Sequence, residues 1–134
     1  MKNNSLLLFI LFAAALFFFW IKKNQHGYKG QITASSATEA YTSLRGGNKT
    51  VVYSRHARCR MMCRHIDESE VKEILENGTV NFNKIESDGR GKTYPVEGRT
   101  HDGQNVRIVF APHEKEITVV TVIDKDKEWP CDCN

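Results

Sequence analysis

The residues of this sequence whose types and spacing could do chemistry are four cysteines and the basic side chains that interleave two of them. Cys59 and Cys63 stand four apart in the run Arg55-His56-Ala57-Arg58-Cys59-Arg60-Met61-Met62-Cys63-Arg64, so on a helix both thiols share one face. Cys131 and Cys133 stand two apart near the C-terminal end, and in an extended tail they too point the same way. Two pairs, each presented from one side, are what a tetrahedral four-cysteine zinc site requires. The same placement suits disulfides from helix to tail, because neighbouring thiols such as Cys131 and Cys133 are poorly placed to bridge each other. Unpaired buried thiols are the third reading. Compartment divides these readings: a reducing cytoplasm favours structural zinc on Cys59, Cys63, Cys131 and Cys133, and an oxidising one favours disulfides with no cofactor.

His56, Arg60 and Arg64 recur every four residues on the same helix and form a narrow, slowly winding stripe beside the two cysteines. A solvated basic face explains such a stripe without any function. The functional reading gives His56 a proton-transfer role and the two arginines a phosphate to hold. No acid interrupts residues 40–66, where Arg45, Lys49, Arg55, Arg58, Arg60 and Arg64 all fall. That charge is local. Residues 1–50 hold six Lys/Arg and one acid, and residues 51–134 hold thirteen and fifteen, within a net charge of +3 for the chain. A general nucleic-acid binder coated in positive charge is therefore excluded. No phosphate loop, Ser/His/Asp constellation or helical metalloprotease motif occurs, and no small-molecule cofactor is implied.

The elements that must position these residues follow from local signals. Val51–Tyr53 is a short extended run, and Ser54 can cap a helix to about Arg64. A second helix has Asp67 as N-cap, Glu70 completing a capping box, and Ile66 and Val71 at the staple positions. Its buried stripe is Val71, Ile74 and Leu75, and Asn77-Gly78 ends it. Beyond Gly78 the period changes to two. Val80–Lys84, Thr93–Thr100, Asn105–Ala111 and Glu116–Asp124 read as strands, with a hairpin at Asp102-Gly103 and a polar loop at Ser87–Lys92. Ile117–Ile123 is apolar on both faces, as a central strand would be. The expected fold is α+β: two N-terminal helices packed on one face of a four-stranded antiparallel sheet, preceded by one transmembrane helix.

That last element rests on Leu6–Ile21, sixteen residues with no polar side chain. With Ser5 at its edge the segment reaches the lower limit for crossing a bilayer, and residues 5–21 would contact membrane lipid. A cleaved secretory signal is the competing reading, but Lys22-Lys23-Asn24-Gln25-His26 are poor cleavage residues, and Ala34 with Ser36 lies too far downstream. The count of Lys and Arg on either side favours, by a small margin, a cytoplasmic C-terminal domain. The expected organisation is a membrane anchor over 1–23, a polar linker over 24–50 and a domain over 51–134. Within the linker, Ser36 and Glu39 could open a short helix over Ala40–Leu44.

The run from Tyr53 to Asp67, followed by Glu70-Val71, Ile74-Leu75 and Asn77-Gly78, resembles domain-of-unknown-function family 4258, with its His-Ala, then Arg-Met, then Arg, an apolar residue and an acid-rich helix. Val106–Phe110 and Val119–Ile123 match the closing strands of that family, so the resemblance covers roughly residues 51–124. It implies the compact fold of RelE-like and barnase-like ribonuclease toxins, which cleave RNA without metal. By position it points to His56, Arg60, Arg64 and, on the last strand, Thr121 as catalytic residues. The four cysteines and the anchor depart from the family pattern. Two functions are therefore expected: a cysteine-stapled interaction module at a membrane, with a protein or RNA partner, or a metal-independent ribonuclease or RNA-binding domain using the His56/Arg60/Arg64 face.

Overall fold

Ile66 and Asp67 set the geometry on which the rest of the helical layer is built. The Asp67 carboxylate accepts from the Glu70 amide at 2.9 Å, and the Glu70 side chain accepts from the Asp67 amide at 2.9 Å, so the expected capping box closes. Helix α3, Glu68–Asn77, follows and buries Val71, Ile74 and Leu75. The structure, a computed structural model, describes residues 12–17 and 33–133. Its chain divides into two compact units, Met1–Gln31 and Ile32–Asn134. The second unit holds helix α1 (Ala34–Arg45), strand β1 (Thr50–Tyr53), helix α2 (Arg55–Arg64), α3 and five further strands. These are β2 (Thr79–Val80), β3 (Glu86–Asp88), β4 (Gly91–Arg99), β5 (Asn105–Pro112) and β6 (Glu116–Asp124), with a 3-10 turn at Phe82–Lys84.

The sheet runs β1-β6-β5-β4-β2, with β3 paired to the outer part of β4. Two features of the expected sheet need correction. It has six strands rather than four, because the short run Thr50–Tyr53 joins its edge as β1 and the polar segment before β4 forms β3 with a tight turn back into β4. It is also mixed: β1 lies parallel to β6, with Val51 opposite Ile117 and Tyr53 opposite Val119. An antiparallel neighbour needs only a turn, whereas this pair is joined through both helices and the other strands, and no local signal reports it. Strand β6 is central as expected, flanked by β1 and β5. The Asp102-Gly103 turn joins β4 to β5, with Gly103 at φ 99°, a conformation open to glycine.

One side of the sheet supplies the core. Val96, Val106, Ile108, Phe110, Ile117, Val119 and Val122 are all buried and pack with Ala57, Met61, Val71 and Ile74 from α2 and α3. Gly98 lets α3 approach β4 closely, since a Cβ there would stand 2.7 Å from the Ile74 Cδ1. Helix α1 begins at an N-cap on Thr33 rather than at Ser36 and contributes Ala40 and Leu44 to the same core. Arg45 ties its end to α3 through the Leu75 and Gly78 carbonyls, at 2.7 and 2.6 Å.

The expectation of a transmembrane helix, and with it of a single-pass membrane location with the domain in the cytoplasm, is corrected. Among the described residues no helix is long and apolar enough to cross a membrane. Residues 12–17 are helical, which at 1.5 Å per residue gives about 9 Å against a hydrocarbon core of about 30 Å. The other residues of Leu6–Ile21, and the whole 24–32 part of the expected linker, lie outside the described residues.

Candidate functional site

Helix α2 carries the cysteines and the His/Arg stripe, and its placement is set at both ends. Ser54 caps it, accepting from the Ala57 amide at 3.0 Å. The same residue donates from its amide to the Val119 carbonyl and from its hydroxyl to the Val120 carbonyl. Those carbonyls sit where β6 slips register against β5, between Val109 and Phe110, so a bulge bolts the start of α2 to the central strand. At the other end His65 adopts a left-handed conformation, φ 56°, and its amide closes the last turn on Met61 and Met62.

Both disulfides leave this helix for the tail. Cys59 bonds Cys133 and Cys63 bonds Cys131, and no described cysteine is free. The expectation of helix-to-tail pairing is met in its disulfide form, which the structure favours over the zinc form. A disulfide sulfur has no thiolate to give a metal, and among the described residues no group of His, Cys, Asp and Glu is arranged to hold one. Pairing the earlier cysteine of the helix with the later one of the tail lays the tail antiparallel along α2.

The tail and the end of β6 turn one flank of α2 into an open cleft of about 590 Å³. Arg60 and Arg64 form one wall, and residues 124–129 form the other. Trp129 is fixed in that second wall. Its indole Nε1 donates to Asp124 at 2.9 Å, the Lys127 ammonium lies 3.6 Å from its ring centre, and the His65 ring meets it edge-on at 5.5 Å. Asp124 also accepts from the amides of Asp126 and Lys127, and these hydrogen bonds hold its carboxyl below the usual range against the burial that pushes it up. Arg107 and Lys125, which also line the cleft, are already engaged. Both donate to Glu97, at 2.7 and 2.6 Å, and Asn81 does so at 2.7 Å. Against the burial of Glu97, those three donors hold its carboxyl down at about 2.

Arg64 is 8 % exposed. It reaches the Val122 carbonyl through Nη1, but its Nε is buried without a partner, and so is the Nε of Arg60. Burial first, then the neighbouring Arg60 charge, lowers the affinity of Arg64 for its proton, and the Asp124 charge offsets this in part. The other residues expected at the site are placed elsewhere. His56 is exposed, with Nδ1 3.0 Å from the Cys133 carbonyl, and does not line the cleft. Thr121 sits on β6 opposite Val109, beside the bulge, and does not line it either.

Sequence reasoning missed Asp124, Arg107, Lys125 and Trp129 as parts of one site. Alternating acid and base over Asp124–Glu128 looks like a solvated strand end, and only the following Trp129 hinted at a packed one.

Residues 53–124 match the family described as Domain of unknown function (DUF4258). This chain belongs to that family. The match covers more than half of the chain and runs from the end of β1 to the end of β6, so the tail cysteines of the stapled module fall outside it. No curated protein and no solved structure matches the chain.

Proposed function

We propose that this member of the DUF4258 family is a disulfide-stapled interaction module that works in an oxidising compartment and uses the α2 cleft as its ligand face. The observation that supports the reading is that both disulfides join α2 to the tail, the two elements that flank the cleft. Such bonds persist where thiols are not kept reduced. They fix a helix that buries only Ala57, Met61 and Arg64, and so leave most of its surface open to a partner. A catalytic reading through His56 has less support, since His56 stands outside the cleft and one of its ring nitrogens faces a tail carbonyl.

Two measurements on the full chain test this. Thiol counting on protein purified without reductant is expected to find no free thiol after denaturation and four after reduction. Free thiols before reduction, or stoichiometric zinc, would return the cysteines to a metal site. Incubation with RNA, beside a His56→Ala variant, is expected to show no cleavage that depends on His56. Cleavage by the native protein that the variant lacks would replace the interaction reading with the RelE-like ribonuclease one.

A further inference from the structure

The cleft described above contains an electrostatic imbalance that names its ligand. A guanidinium presents five N–H donors and keeps its charge. When one is taken out of water, an ion pair or a full set of acceptors is needed to offset the loss of hydration. Arg64 is more than nine-tenths buried, yet among the described residues no carboxylate stands within ion-pairing distance of Arg64 or Arg60. Both Nε atoms are buried without a partner, and both residues line the same open cleft. Most of the acids nearby are occupied: Asp124 by Trp129 and two amides, Glu97 by Arg107, Lys125 and Asn81, and Asp126 by the Asn105 amide at 3.3 Å, while Glu128 lines the cleft without pairing with either arginine. What is left is two like charges side by side, with the Val122 carbonyl as the one acceptor that Arg64 reaches and the Asp124 charge offsetting its own only in part.

We propose that this cleft binds a phosphate monoester in its dianionic form, with Arg64 and Arg60 as its direct ligands. The proposal rests on the reading of the cleft as the ligand face. A dianion matches two guanidinium charges, and its three terminal oxygens offer acceptors to the guanidinium groups that line the cleft, whereas a carboxylate brings one charge and two oxygens. The rim argues against a nucleic-acid strand. Lys125, Asp126, Lys127 and Glu128 alternate in sign, so successive phosphodiesters running out of the cleft would pass acids as often as bases. Trp129, held by Asp124, Lys127 and His65, keeps the opposite wall in place before the ligand arrives.

The test uses the full chain with its disulfides intact at low ionic strength, and follows the arginine Nε–H resonances while inorganic phosphate is titrated at a pH where it is doubly charged. The Arg60 and Arg64 signals should move saturably, and acetate should need at least about tenfold higher concentration for the same shift. Arg60→Gln should weaken phosphate by about tenfold or more while the protein stays folded, and Arg64→Lys, which keeps the charge but loses the fork, should weaken it similarly. Glycerol phosphate and phosphatidic-acid vesicles separate a soluble ester from a lipid headgroup. Arg60-dependent binding of either supports the site, and the tighter one assigns the source. A folded Arg60→Gln protein that binds phosphate like the native one would overturn the proposal. So would acetate binding as tightly as phosphate, or an RNA oligonucleotide without terminal phosphates binding more tightly per phosphate. Failure to bind with all four cysteines oxidised counts against the anion site alone, whereas free thiols in the native protein count against the stapled module.

Discussion

Helices α2 and α3 are each ten residues long, follow one another in the chain and pack against the same sheet, yet they are held by different means. Helix α3 is held by its own sequence. A capping box fixes its start, and Val71, Ile74 and Leu75 bury a continuous apolar stripe. Helix α2 has no such stripe. It buries a small residue, a methionine and an arginine, and it is fastened by Ser54 on the β6 bulge and by two disulfides to the tail. The comparison teaches how a small domain frees a helix for binding. Apolar packing uses up the face it buries, whereas a covalent staple uses two positions and leaves charged neighbours such as Arg60 and Arg64 beside a cleft.

The largest test of that contrast removes the staples. The disulfides are nested: Cys63–Cys131 lies inside Cys59–Cys133, with sequence separations of 68 and 74. While either bond remains, the long loop stays closed, and losing the other opens only a ring of about eight residues. The chain-entropy estimate then gives about 2.5 kcal/mol for losing one bond and about 7 kcal/mol for losing both. Urea unfolding of Cys59→Ser/Cys133→Ser, of Cys63→Ser/Cys131→Ser and of the fourfold variant should therefore show a combined loss well above the sum of the two parts. Simple additivity would mean that the bonds do not act by closing the long loop.

A smaller effect separates the two helices by packing. Ile74→Ala in α3 removes a side chain that is 2 % exposed and pressed on Gly98, and should cost about 3 kcal/mol by cavity formation. Met62→Ala in α2 removes a side chain that is 77 % exposed and should change stability by no more than about 0.5 kcal/mol. A comparable loss at both positions, read by the same urea unfolding, would mean that α2 has an apolar seat and that the staples are not its main fastening.

The same division decides what could be read from the sequence. Both ends of α3, the hairpin at Asp102-Gly103 and the central place of β6 follow from neighbours a few residues apart, and local rules recover them. The parallel β1–β6 pair depends on contacts more than sixty residues apart, and the extra residue at Val120 on a register slip within the β5–β6 hairpin, neither of which a period of two carries. For the site, spacing joined Cys59 and Cys63 to Cys131 and Cys133, but a tetrathiolate and two disulfides ask for the same presentation, so spacing could not choose between them. The stripe of Arg60 and Arg64 was visible. Its opposite wall was not, because Asp124–Glu128 becomes a wall only once β6 brings it beside α2.

The smallest predicted effect lies at the point where α3, the self-sufficient helix, departs from its own rules. Glu70 completes the capping box with one oxygen, but it is 3 % exposed, and its other carboxyl oxygen is buried, with the Asp102 carboxyl as its polar neighbour. Burial first, and then the hydrogen bond and charge of nearby Asp102, push the Glu70 carboxyl above the ordinary range, against the Asp67 amide that holds it down. The sign follows from linkage. A carboxyl raised in the folded state contributes its stability fully below the unfolded value, about 4.3, and loses it as the pH rises through the folded value. Glu70→Gln keeps an oxygen for the Asp67 amide and removes the charge. The variant should thus match the native protein near pH 4 and exceed it by about 1 kcal/mol at neutral pH. Asp67, held below the usual range by the Ser69 hydroxyl and the Glu70 amide, titrates in the opposite sense in both proteins and largely cancels, whereas Asp102, held down in part by Glu70 itself, contributes to the difference. Paired urea titrations across that window give the difference directly. A gap that closes rather than opens as the pH rises would mean that Glu70 is ionised at no cost, and that the box in α3 is as ordinary as its sequence suggests.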